Sequence, residues 1–309
     1  MEPNETSPVR STQIARRTVL AGAAAAAAAA AVGGAGAPAA VAAGSPIAEL
    51  EGRYDRRIGL YAENLRTGRR IAHRPDERFA MCSTFKPFAV AAALDGRLVS
   101  PDPKFLQRRA YYPPSLVPDG LWAPRTREWL ERGYAPTMAE ICEACTRESD
   151  NGAANLLQQY IGGPGAVTRL YRDLGDRVSV LERWEPEMSD WDPSSIRDTS
   201  TPRAMGNNYR ELLLGRTLRR RIRDQLTEWL LGNLTSDNTF RKELPVDWRL
   251  ADKTGSGGDY ATRNNIGIAW TGTGVPIVIS AMTSSSDIDA ETLDAPLVDI
   301  MRLVVRELG

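Results

Sequence analysis

Met81-Cys82-Ser83-Thr84-Phe85-Lys86-Pro87-Phe88-Ala89-Val90-Ala91-Ala92-Ala93-Leu94 is the stretch on which the reading of this chain turns. From Ser83 onward, Phe85, Phe88, Val90 and Leu94 recur at helical spacing in an alanine-rich run, so the segment reads as a buried helix. Pro87 is compatible because it falls in the first turn, where no backbone N–H is needed. Ser83 and Lys86 stand three positions apart at the head of that helix and share one face. A helix N-terminus offers free N–H groups and a positive dipole end, which suit an oxyanion better than a neutral carbonyl. An amine one turn from a hydroxyl can take its proton once burial and nearby cations lower the amine's pKa. Serine followed three residues later by lysine is common in unrelated proteins, so its meaning depends on what surrounds it.

On the N-terminal side, residues 57–63 and 69–73 read as two strands joined at Leu65-Arg66-Thr67-Gly68. On the C-terminal side, residues 101–124 are proline-rich and aperiodic and are expected to be loop. Helices follow over 137–147, 153–160, 165–174, 201–214 and 217–231. The pattern then changes to strands at 248–252, 265–270 and 276–282, and an amphipathic helix over 294–308 closes the chain. Strands at both ends around a helical centre imply a sheet assembled from the two termini, with a helical subdomain inserted and a ligand cleft between them.

Two further motifs lie in this frame. Ser149-Asp150-Asn151 sits between two expected helices, and Lys253-Thr254-Gly255 leaves a strand in the last third. The order S-x-x-K, S-D-N, K-T-G is the established signature of class A β-lactamases and penicillin-binding proteins. A fourth motif, Arg183-Trp184-Glu185-Pro186-Glu187-Met188-Ser189 with Asp198 beyond it, completes the set. From about Ser45 to the C-terminus the chain resembles a class A serine β-lactamase. The resemblance implies an α/β (α+β) β-lactamase fold: an antiparallel five-stranded sheet with flanking helices. The α/β part would comprise residues 45–79 and 232–309, the all-helical part residues 80–231. It also implies cleavage of the β-lactam ring of penicillins and cephalosporins through a serine acyl-enzyme, with no cofactor, by a monomer, conferring antibiotic resistance.

Each motif then has a chemical task. Ser83 is the expected nucleophile and Lys86 its amine. Ser149 can relay a proton to the leaving ring nitrogen, with Lys253 on the opposite wall. Asn151 offers an amide to the substrate's side-chain amide. Lys253 and Thr254, on the edge strand, present a charge and a hydroxyl to the substrate carboxylate. The backbone N–H groups of Ser256 and Ser83 would form the oxyanion hole. Glu185 can activate a water against the acyl-enzyme, the step that separates a hydrolase from a penicillin-binding protein. Arg183 and Asp198 could pair across the neck of a compact Ω-loop that holds Glu185, and by resemblance the Glu185-Pro186 bond would be cis.

The chain also departs from the family pattern. Arg263 takes the place of an arginine that in several members reaches the substrate carboxylate. Trp122 falls where the family carries an aromatic gatekeeper, although a core tryptophan is the alternative. Some members bridge a cysteine at Cys82 to one just after K-T-G, but Gly257 stands there; the partner position of Cys142 is Val90. Three buried thiols at Cys82, Cys142 and Cys145 are therefore expected. Ser189 replaces the usual asparagine that helps hold the deacylating water.

Composition narrows the field further. The 309 residues carry 39 basic and 39 acidic side chains, which leaves no basic excess for nucleic acid. One histidine and three cysteines are too few for a comfortable zinc site, so no metal is expected. Residues 1–42 read as an export signal: Arg16-Arg17 precedes a weakly apolar alanine run, in the manner of a twin-arginine signal read by a translocase for folded proteins. Alanine and glycine hold a bilayer span poorly, so cleavage without stable membrane insertion and a secreted or periplasmic destination are expected. The competing readings are a DD-peptidase, a non-hydrolysing β-lactam-binding or sensor domain, and an esterase that would have to recruit His73.

Overall fold

The computed structural model describes residues 45–95, 102 and 104–309, so the expected export segment, residues 1–42, lies outside the described residues. Helix α1 (Pro46–Tyr54) opens the described chain, N-capped by Ser45, whose Oγ accepts the Ala48 N–H. Strands β1 (Arg57–Asn64) and β2 (Arg70–His73) form the expected hairpin, and β3 (Phe79–Ala80) is a two-residue strand. A 3₁₀ turn over Cys82–Phe85 leads into α2 (Lys86–Asp95). There follow α3 (Pro124–Glu131), α4 (Met138–Arg147), α5 (Asn151–Ile161), α6 (Pro164–Asp173), β4 (Thr199–Ser200), α7 (Pro202–Leu214) and α8 (Arg220–Leu231). Strands β5 (Arg249–Ser256), β6 (Arg263–Trp270), β7 (Pro276–Ser284) and helix α9 (Ala295–Leu308) complete the fold.

The main sheet is antiparallel, with five strands in the order β2-β1-β7-β6-β5. Strand β1, from near the start of the described chain, pairs along its whole length with β7, from near the end, Arg57 opposite Ser284 through Asn64 opposite Ile277. One apolar cluster joins Ile47 and Leu50 of α1 to Ile58, Ile279, Leu297, Ile300 and Val304, packing α1 and α9 on one face of the sheet. A second, larger cluster surrounds α2, every residue of which from Lys86 to Ala93 is buried, and joins it to α4, α5, α6, α7 and α8. Burial on all sides explains why α2 carries apolar residues round its circumference rather than one polar face.

Several expectations shift. Ser83 lies in a 3₁₀ turn, and the α-helix begins at Lys86. Proline at the second helical position sets that start. Lys253 and Thr254 lie on an edge strand as expected, but that strand, β5, runs on through K-T-G to Ser256 rather than ending at residue 252. Strand β6 begins at Arg263, two residues earlier than the apolar pattern. The stretch expected as loop ends in α3, opened by Pro124, while α1 has no counterpart in the sequence pattern. Helix α8 starts at Arg220 rather than at residue 217. All three cysteines are buried free thiols, and burial raises the pKa of Cys145 to about 12.

Candidate active site

The short strand β3 pairs with β4, and just beyond it the Met81 N–H donates to the carbonyl oxygen of Asp198 at 2.9 Å. This ties the base of the 3₁₀ turn bearing Ser83 to the end of the 183–198 loop. Edge strand β5 runs against the other side of the turn: a Cβ built on Gly255 would sit 3.0 Å from the Met81 carbonyl oxygen and 3.2 Å from the Cys82 Cβ. Only a glycine lets strand and turn approach this closely.

Around Ser83 the polar groups converge. Its Oγ donates to Oε1 of Glu185 at 3.3 Å, and the same oxygen lies 3.2 Å from Lys86 Nζ. Lys86 Nζ donates also to the Ser149 carbonyl at 2.7 Å, to Ser149 Oγ at 3.2 Å and to Asn151 Oδ1 at 2.6 Å. Thus the serine, its amine, the S-D-N hydroxyl and the loop carboxylate form one buried network, in which low local polarity strengthens each bond. Lys253 is also fully buried, its Nζ 3.0 Å from the Thr254 carbonyl oxygen. Burial first, and then the positive charge of Lys86, lower its pKa from 10.5 to about 7.

A cavity of about 370 Å³ opens above this network, lined by Ser83, Trp122, Ser149, Asn151, Glu185, Ser189, Thr254, Ser256 and Arg263 among others. Lys86 and Lys253 are buried and do not line it. Trp122 is 62% exposed and stands at the mouth, its indole N–H donating to the Glu148 carbonyl at 3.1 Å, which removes the core alternative. Arg263 reaches the cavity while its Nε pairs with Asp294 Oδ1 at 2.7 Å. His73 is elsewhere: its Nε2 lies 3.1 Å from Glu51 Oε2, beside Arg74, and it does not line the cavity.

The loop that carries Glu185 is held at both ends. Arg183 Nε donates to Asp198 Oδ2 at 2.6 Å, and Asp198 Oδ1 accepts the N–H groups of Glu182 and Arg183. The amide of Asn155 grips the backbone of Glu185, donating to its carbonyl at 2.8 Å and accepting its N–H at 3.0 Å, beside a cis Glu185-Pro186 bond. Ser189 Oγ is 3.5 Å from Glu185 Oε2, the limit of a hydrogen bond.

Sequence reasoning missed several supporting groups. Asp150, the middle residue of S-D-N, accepts the Ala153 N–H as N-cap of α5 and also binds the Arg125 and Thr126 N–H groups. Its N-cap position was the available signal. Thr235 Oγ1 lies 2.5 Å from Thr254 Oγ1 in the cavity wall, and Arg241 pairs with the buried Asp252 directly before Lys253 at 2.9 Å. Nothing local in the sequence marks either contact.

Residues 43–308 match the family model described as "Beta-lactamase enzyme family". The chain belongs to the β-lactamase enzyme family. It is 44% identical over 259 residues to a β-lactamase of Streptomyces fradiae, covering 84% of each chain. It is likewise 44% identical over 289 residues to one of Streptomyces lavendulae, covering 92% of this chain and 93% of the other. The solved β-lactamase of Streptomyces albus G superposes with a TM-score of 0.82 at 42% identity, covering 85% of this chain and 98% of that one. The fold is that of the β-lactamases, and the chain is a serine enzyme of class A.

Proposed function

We propose that this β-lactamase opens the β-lactam ring of penicillins and cephalosporins through an acyl-enzyme on Ser83 and frees it with water activated by Glu185. The observation that carries this reading is the meeting of Ser83 Oγ and Lys86 Nζ on Glu185 Oε1, at 3.3 and 3.2 Å, with Ser149 Oγ 3.2 Å from the same Lys86 Nζ, beneath a cavity open to a small ligand. In the first half-reaction Ser83 Oγ bonds to the lactam carbonyl carbon and loses its proton to the Lys86–Glu185 pair. The carbon–nitrogen bond of the ring then breaks, and the nitrogen takes a proton through Ser149. In the second, Glu185 takes a proton from water as the water oxygen bonds to the acyl carbon, and Ser83 leaves with a proton returned to it. Thr254, Lys253 and Arg263 line or back the wall that meets the substrate carboxylate, and Asn151 meets its side-chain amide.

Glu185 favours hydrolysis over the stalled acylation of a DD-peptidase or sensor, because it sits within hydrogen-bond reach of the nucleophile. We read the enzyme as a monomer, and the Arg16-Arg17 pair before the alanine run supports export by a twin-arginine translocase to a secreted or periplasmic location. Incubation with a chromogenic cephalosporin tests the activity, and mass spectrometry tests the route. A brief exposure to a penicillin is expected to leave a covalent adduct that Ser83→Ala abolishes. An adduct that survives the substitution overturns the assignment of Ser83.

A further inference from the structure

Beyond Ser189 the 183–198 loop crosses to the turn between β5 and β6, where a second feature of the site stands. The ring of Trp191 meets that of Tyr260 edge to face, with centroids 5.5 Å apart and planes at 76°. This is the favoured geometry of an aromatic pair. Two residues back along the loop the backbones also touch: a Cβ on Gly257 would fall 2.7 Å from the Ser189 carbonyl oxygen. Among the described residues no hydrogen bond joins residues 186–191 to residues 257–262, so loop meets turn here through packing, the ring pair and this backbone approach included. The Trp191 indole N–H is itself buried without a hydrogen-bond partner.

Tyr260 is fixed from its own side. It and Ala261 take left-handed backbone angles, φ 54° and 49°, which non-glycine residues rarely adopt. The Tyr260 N–H donates to the Ile288 carbonyl at 2.9 Å, and its carbonyl accepts the Ser285 N–H at 2.6 Å. The segment after β7 thereby holds the tyrosine in a strained conformation that presents its ring to the loop. Two lines of contact converge on the same short stretch of loop: the Arg183–Asp198 neck secures its ends, and the aromatic pair secures its outer edge.

We propose that Trp191 and Tyr260 form an aromatic latch between the 183–198 loop and the turn after β5. The latch fixes the position of Ser189 and Glu185 relative to β5, and it sets how large an acyl group the cavity admits. Both are positioning residues: neither lines the cavity, and they act through the loop that carries the water-activating carboxylate. The proposal rests on the reading of Glu185 given above. A closed latch holds the water in line for deacylation of a small acyl group; an open one makes room between loop and turn at the expense of that alignment.

Hydrogen exchange of the amides at 187–191 and pre-steady-state kinetics of Tyr260→Ala, Trp191→Ala, the double variant and Tyr260→Phe test this. An edge-to-face pair shifts a closing equilibrium by roughly two- to twelvefold. Loop exchange should therefore accelerate by about that factor in either alanine variant and stay unchanged in Tyr260→Phe, which keeps the ring. Deacylation of a small penicillin should slow by a similar factor with acylation within about twofold, KM for substrates with a bulky C7 acyl group should fall, and the double variant should match the single ones. If Tyr260→Ala does not fold, Tyr260→Leu keeps apolar bulk without the ring and should show the same acceleration. Unchanged loop exchange, or losses that multiply in the double variant, overturns the latch. A wild-type protein that never turns over overturns the functional reading instead, and the exchange result then still decides whether the latch exists.

Discussion

Ser189 Oγ lies 3.5 Å from Glu185 Oε2 and 3.4 Å from the Met188 sulfur, and its side chain also meets the buried Cys82 thiol. A hydroxyl is one heavy atom shorter than a side-chain amide and offers a single donor, so in the proposed mechanism the deacylating water would be held chiefly by Glu185. Ser189→Asn should then speed deacylation of small penicillins by up to about tenfold, the value of one added hydrogen bond, and slow turnover of substrates with bulky C6 or C7 groups. Equal deacylation constants in the two proteins across both substrate sizes would show that Ser189 sets nothing. Lys253 gives a prediction in pH. With its folded pKa lowered to about 7, it loses its charge as pH rises through that value, and with it the attraction for a substrate carboxylate. kcat/KM of the free enzyme should fall on the alkaline side with an apparent pKa near 7, and Lys253→Arg, which cannot deprotonate, should remove that limb from the pH profile. Stability runs the other way. Between about 7 and 10.5 the unfolded chain binds a proton that the folded one does not, so the penalty for burying this cation is full below 7 and eases as pH rises through the window.

At the scale of elements, the 183–198 loop shows how a segment without regular structure is kept in one shape. Asp198 is fully buried and accepts from Arg183 Nε and from two backbone N–H groups, while its own carbonyl receives the Met81 N–H. Asp198→Ala would leave two N–H groups and a guanidinium without their acceptor, a cost of about 2–4 kcal/mol. Thermal denaturation should show a fall in Tm of roughly 5–15 °C, and deacylation should slow more than acylation because Glu185 rides on the loop. The neck pair was readable in advance because opposite charges flank a proline-bearing acidic run, and the helix bearing Lys86 because its apolar spacing is unbroken. Helices α1 and α3 were not: nine and eight residues long, they are too short for periodicity to stand out. Strands β3 and β4, of two residues each, have no pattern to read. The Trp191–Tyr260 and Thr235–Thr254 contacts join residues far apart in sequence, so only the fold could reveal them. The chemical motifs were legible for the opposite reason: a nucleophile, an amine and a carboxylate restrict residue type at each position more tightly than packing does.

At the scale of the molecule, the sheet places the two ends of the described chain side by side. Strand β1 pairs with β7 along eight residues, α1 packs with α9 in one core, and the Asn64 side chain donates to the Leu308 carbonyl at 2.7 Å. The N-terminal strand therefore has no complete partner set until the C-terminal helix has been made. Such non-local pairing is slow and leaves strand edges open meanwhile. A chain of this topology is well served by folding fully before it crosses a membrane, which is the route that a twin-arginine signal selects. The described structural elements and every cavity residue lie at or beyond residue 45, so the proposed signal should be separable from catalysis. Replacing both Arg16 and Arg17 by lysine is expected to leave kcat/KM of the purified protein unchanged while the activity is retained inside the cell. Deleting residues 1–42 should do the same and leave Tm within about 1 °C. Assay of cytosolic and extracytoplasmic fractions with a chromogenic cephalosporin decides it: export that persists in the doubly substituted chain would mean that another signal carries it across.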